Sequence, residues 1–170
     1  NFLELFPRPA ANDINSGLSA LKTSELIKIF GTPGKNPTAQ CQPITNPNIK
    51  RHIITMNFGN FRLTGMDWVL THLIDVFSDL KKEEPELYSL FGTAGMTCFR
   101  FVRGSTTTLS NHSWGTATDF TIGGVLDKRG DNKVQYGLLR AYPIFHKHGF
   151  YWGAEYTTED AMHFEPSYEL

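Results

Sequence analysis

Two short segments of the chain, Ser110-Asn111-His112-Ser113-Trp114-Gly115-Thr116-Ala117-Thr118-Asp119 and Asp160-Ala161-Met162-His163-Phe164-Glu165, contain the residue types of a mononuclear zinc hydrolase. His112, Asp119 and His163 supply two imidazoles and one carboxylate. With three protein ligands, a catalytic zinc ion (Zn2+) keeps a fourth position for water. Asp160, just ahead of the last ligand, is the natural acceptor for a proton from that water. A single His or Asp in such a segment is more often a solvated loop residue or a turn cap, so the reading rests on the ordered set and calls for one zinc per chain.

This chemistry makes demands on the backbone. Thr116 to Ile122 is β-branched and reads as a strand, with Ala117, Asp119 and Thr121 on one face and Thr118, Phe120 and Ile122 on the other. His112 then comes from the loop entering that strand, where Gly115 permits the sharp turn. Met162 to Glu165 reads as a second strand, which puts His163 and Glu165 on one face and packs Met162 and Phe164 behind. An offset of three residues points to opposite faces of an ideal strand, so Asp160 belongs in a turn. Glu165 suits a partner that orients a ligand imidazole.

At these residues the chain resembles the M15 peptidases, which include D-alanyl-D-alanine carboxypeptidases and the L-alanyl-D-glutamate endopeptidases of phage endolysins. The family pattern is Ser-x-His-x-x-Gly-x-Ala-x-Asp followed by Glu or Asp-x-x-His. It is met at Ser110, His112, Gly115, Ala117 and Asp119, and again at Asp160 and His163. Phe99 to Gly104, Gly149 to Gly153 and Met162 to Glu165 extend the likeness, which covers Gly92 to Pro166. The resemblance implies an α+β fold, a small mainly antiparallel sheet with helices packed on it, of the M15 or Hedgehog-like kind. It also implies a zinc peptidase acting on peptidoglycan stem or cross-link peptides in the cell envelope, periplasm or outside the cell, with phage lysis or an effector role as further settings. Asp at 160 is closer to the endopeptidase branch than to the dipeptidase branch, and whether the activity is endopeptidase or carboxypeptidase stays open. The rival class is a non-catalytic, zinc-containing wall-binding or signalling module of the same fold.

The resemblance also places an arginine before the His loop, and Arg100 aligns with it as the group that stabilises the oxyanion. If Thr97 to Val102 is a strand, Arg100 and Arg103 face opposite ways and only one can reach the metal. Ser110 reads equally as a substrate-side hydroxyl or a turn former. Trp114, in the loop after the first ligand, is the aromatic expected to touch substrate, whereas Trp152 reads as core. His52, His72, His146 and His148 lack such surroundings and read as structural or surface residues.

A chain of 170 residues, 40% hydrophobic and 13% aromatic, suits one domain, with residues 1–45 as an arm packed on it and 92–166 as the zinc-site core. Sixteen basic against seventeen acidic residues leave no net field to attract nucleic acid or an anionic membrane. No apolar run reaches the length of a membrane span. Cys41 and Cys98 allow one disulfide or two free thiols, and pairing would suit an envelope enzyme.

The elements expected around the site are a short helix at Leu26 to Phe30, a strand at Arg51 to Phe58, and a long helix capped by Thr64. That helix would bury Met66, Val69, Leu70, Leu73, Ile74, Phe77 and Leu80. A short helix from Pro85 follows, then a charged hairpin or loop at Asp127 to Lys133. Gln135 to His148 reads as a helix bent or interrupted at Pro143.

Overall fold

A computed structural model describes residues 1–170. Its centre is a four-stranded antiparallel sheet in the order β4-β5-β8-β7, built from β4 (Phe91–Gly95), β5 (Thr118–Ile122), β8 (His163–Pro166) and β7 (Phe150–Trp152). Two hairpin-like pairs flank it: β2 (Ile53–Asn57) with β3 (Arg62–Met66), and β1 (Leu5–Pro7) with β6 (Lys133–Gln135). The helices are α1 (Thr23–Phe30), α2 (Pro47–Lys50), α3 (Asp67–Glu83), α4 (Pro85–Leu90) and α5 (Tyr136–Lys147). The architecture is α+β with all strand pairs antiparallel, as expected.

Side-chain alternation splits β5 and β8 into two chemistries. Phe120 and Phe164, both buried, point into an aromatic core in which Phe164 stacks on Phe145 at 4.0 Å and Phe120 meets Phe77 and Phe91 edge-on at 5.4 and 5.8 Å. Asp119 and His163 point the other way, and the register sets them directly opposite each other. Facing residues of an antiparallel pair have their Cβ atoms about 4.5–5.5 Å apart, so the two polar side chains meet without a loop to bring them together.

Helix α3 covers the core with Val69, Leu70, Leu73, Val76, Phe77 and Leu80. Ile74, expected in that stripe, is 44% exposed, and Val76 takes the inward position. The helix begins at Asp67 rather than after a Thr64 cap. Thr64 instead lies in β3, where its hydroxyl bonds that of Thr55 across the hairpin at 2.7 Å, so strand pairing takes the residue that local propensity assigns to a cap. Pro143 is accommodated inside a continuous α5. Gly92 sits within β4 opposite Thr121, whose Oγ1 would lie 2.8 Å from an added Cβ.

The amino-terminal residues run along the domain. Strand β1 pairs with β6, Leu26 of α1 is fully buried while Ile27 and Ile29 stay exposed, and a disulfide joins Cys41 to Cys98. Gln42 forms an isolated bridge with Phe99 beside that disulfide. Thr97 to Val102 is not a regular strand. It is an irregular segment with single bridges at Phe99 and Phe101, held between the arm and Leu109.

Candidate metal and active site

A 3-10 turn, Asn111–Trp114, delivers the first imidazole. The Ser110 hydroxyl accepts the His112 amide N–H at 3.3 Å, and Gly115 ends the turn at φ +69°. An added Cβ at Gly115 would lie 2.8 Å from Ile53 Cδ1 and 3.1 Å from the Met66 nitrogen, so the position excludes side chains on both conformational and steric grounds. His112 Nδ1 lies 2.7 Å from the Met96 carbonyl oxygen. A carbonyl can only accept, so Nδ1 carries a proton, and Nε2 faces Asp119 Oδ2, 3.3 Å away.

His163 is oriented from the other side. Its Nε2 is 2.8 Å from Glu165 Oε1, and its Nδ1 lies 3.4 Å from Asp119 Oδ1 and 3.7 Å from Asp160 Oδ2. Glu165 is buried and accepts two further bonds, from the Tyr156 hydroxyl and, at 2.5 Å, from Asn111 Nδ2. Asn111 Nδ2 also donates to the Leu21 carbonyl at 2.8 Å, and Thr23 donates to Asn111 Oδ1 at 3.2 Å, so the arm braces the carboxylate behind His163. Burial works against charging His163, but the nearby carboxylates of Asp119 and Glu165 prevail and raise its pKa well above the usual imidazole range. Burial likewise opposes ionisation of Asp119, yet the neighbouring His112 and His163 hold that carboxyl well below its ordinary value.

One donor atom each from His112, Asp119 and His163 lies within 4.8 Å of the others, and the buried Asp119 Oδ1 has no hydrogen-bond partner. Two imidazoles fixed by their far nitrogens and a carboxylate with an orphaned oxygen fit a four-coordinate divalent ion, with a site left over.

Asp160 opens the turn that the His163 amide closes on its carbonyl at 3.1 Å, and its own amide donates to the Gly153 carbonyl at 3.0 Å. Gly153 is needed for this approach, because a Cβ there would come within 2.6 Å of the Asp160 carbonyl oxygen and 3.1 Å of His163 Cβ. Burial, followed by the Asp119 charge, raises the Asp160 pKa against the pull of His163, and Oδ1 is buried without a partner. This carboxyl is more basic than an exposed aspartate and lies next to the ligand cluster.

All of these groups open on one cleft of about 210 Å3. Ser110, Arg100 and Arg103 line it as well, so the two arginines are not divided between opposite faces. The irregular backbone of residues 97–102 removes the alternation on which that expectation stood. Arg100 is half-buried with Nη1 bonded to the Phe101 carbonyl at 2.9 Å, whereas Arg103 is exposed. Burial, then the charge of Arg103, lowers the Arg100 pKa. Trp114, expected to touch substrate, is instead fully buried in the core with its indole N–H on the Gly31 carbonyl at 2.9 Å. The 3-10 turn points the indole inward under the arm. Trp152 is fully buried, as expected of core. Sequence reasoning missed Asn111, Tyr156 and Arg129 as residues of the cleft. Asn111 directly precedes a candidate ligand, but nothing local marks Tyr156 or Arg129.

Residues 103–166 match the M15 family model described as D-alanyl-D-alanine carboxypeptidase. Over that stretch the chain is similar to the M15 peptidases. No curated protein matches it. The matched region spans His112, Asp119, Asp160 and His163 and begins after Arg100. No helix is long and apolar enough to cross a membrane.

Proposed function

We propose that this chain is a zinc-dependent peptidase of the M15 type that hydrolyses stem or cross-link peptides of peptidoglycan, as an endopeptidase or a D,D-carboxypeptidase. The observation that carries the proposal is the convergence on one cleft of the His112, Asp119 and His163 donors with the raised, unpartnered carboxyl of Asp160. His112, Asp119 and His163 would hold the ion. Zinc, when bound, supplies Lewis acidity that polarises a carbonyl and acidifies water.

The chain's own residues do the rest. Asp160 accepts the proton of the attacking water and delivers it to the leaving amine, a role suited to a carboxyl whose basicity is raised by burial. Arg100, with its guanidinium held by the Phe101 carbonyl, stabilises the charge that develops on the scissile carbonyl oxygen. Ser110 caps the His112 turn and presents the remaining face of its hydroxyl to the cleft. The Cys41–Cys98 disulfide supports a setting in the envelope or outside the cell, where such bonds persist.

The test is digestion of purified peptidoglycan by wild type and Asp160→Asn at matched zinc content, with new termini identified by mass spectrometry. The amide keeps the shape but cannot take the proton, so Asp160→Asn should retain fold and zinc and lose cleavage. Equal rates would overturn the mechanism. Absence of hydrolysis by both proteins, with wall binding retained, would favour the non-catalytic binding module.

A further inference from the structure

A second group of oxygen donors lies outside the imidazole site, where Asp127, Asp131 and Glu159 each bring one carboxylate oxygen within 4.8 Å of the other two. Glu159 is fully buried and Asp127 is 3% exposed. No lysine or arginine forms an ion pair with any of the three, although Lys128 and Lys133 are neighbours in sequence.

Backbone amides hold these carboxylates in place without neutralising them. Glu159 Oε1 accepts the Asp131 and Asn132 amides at 2.9 and 3.1 Å, Oε2 accepts that of Ala161 at 3.2 Å, and Asp127 Oδ2 accepts that of Gln135 at 2.7 Å. Asp127 Oδ1 is left buried with no donor at all. A buried carboxylate oxygen with no hydrogen bond is costly unless a cation or a proton compensates it. Burial first, and then the neighbouring acids, raise the pKa of both Asp127 and Glu159, the direction expected of carboxyls packed together without a cation.

We propose that Asp127, Asp131 and Glu159 form a second metal site, for a hard divalent cation of the calcium type. The donors are all oxygen, which suits calcium rather than zinc, and two of the three stand on the irregular connection between β5 and β6, which can adjust to a large coordination shell. The ion ties residues 127–133, which place Arg129 in the cleft, to Glu159, the residue before Asp160. The site stands independently of the peptidase mechanism. Only its influence on turnover rests on the function proposed above.

The experiment is calorimetric titration of the zinc-loaded protein with calcium chloride, then magnesium chloride, alongside thermal melting and a zinc assay. Wild type should bind one calcium per chain and melt at a higher temperature as calcium rises. Asp131→Asn, at a partly exposed position where folding is not at risk, should weaken calcium binding by about tenfold or more with zinc content unchanged, since affinity follows the ligand charge count. Glu86→Gln, at an exposed position on α4, should bind calcium as wild type does. No heat and no melting shift up to about 10 mM calcium, above the weakest affinities of calcium modules, would overturn the site in favour of a shared proton. Unchanged affinity in Asp131→Asn would overturn the ligand assignment. Loss of zinc alone reports on the imidazole site and is scored separately.

Discussion

Glu165→Gln removes one charge and one acceptor from a buried carboxylate that serves three donors. Oε1 takes His163 Nε2 and the Tyr156 hydroxyl, and Oε2 takes Asn111 Nδ2. A glutamine side chain has a single carbonyl oxygen. If that oxygen stays on His163, the new NH2 group faces the NH2 of Asn111. Asn111 cannot flip to relieve the clash, because its Nδ2 also donates to Leu21 and its Oδ1 accepts from Thr23. One buried donor is therefore lost, at about 1–3 kcal/mol of folding stability. The imidazole also loses the negative charge that supports its basicity toward a metal, a loss of about 10–100-fold in affinity, or about 1.4–2.7 kcal/mol. Competition with a chromophoric chelator measures the affinity, and denaturant unfolding measures the stability. A double-mutant cycle with Asn111→Ala should return a coupling energy of about 1 kcal/mol. Zinc affinity within about twofold of wild type, well inside the loss expected for such a partner, would refute the idea that this carboxylate tunes His163. A zero coupling would refute the geometry.

Arg100→Ala should lower turnover by about a hundredfold with zinc retained, while Arg103→Ala, at an exposed position, should do little; steady-state kinetics on a defined peptide would show the reverse pattern if the other arginine serves the oxyanion. Gly153→Ala drives a methyl into the Asp160 carbonyl at 2.6 Å, so both melting temperature and turnover should fall, and an unchanged rate would mean that Asp160 can move freely. Replacing both Cys41 and Cys98 by serine opens a loop with a sequence separation of 57. By the chain-entropy estimate this costs about 4 kcal/mol, and equal denaturant midpoints would show that the arm is held by packing alone.

The strands that carry Asp119 and His163 were legible because alternation is written into adjacent residues: Phe120 and Phe164 need a core, and their neighbours must then face away from it. The turns at Gly115 and Asp160 were legible for a related reason, since the offsets between polar residues are incompatible with one straight strand. Strand β4 was hidden, because Phe-Gly-Thr-Ala-Gly has neither β-branched density nor a period and is a strand only by pairing with β5. Trp114 was misplaced because a position in the His loop does not reveal that the arm covers the indole and accepts its N–H at Gly31. Asn111, Tyr156 and the Asp127–Asp131–Glu159 group depend on contacts between distant parts of the chain, which no local pattern encodes.

The pairing between β5 and β8 is only two residues long, Thr118 with Phe164 and Asp119 with His163. So short a ladder cannot hold its own alignment by backbone bonds. A slip by one residue would turn Phe164 toward water and His163 into the aromatic core. The packing of Phe164 against Phe145 and Phe120 is what penalises that slip, so the aromatic core, on the far side of the sheet, sets the alignment of the site's two facing polar residues.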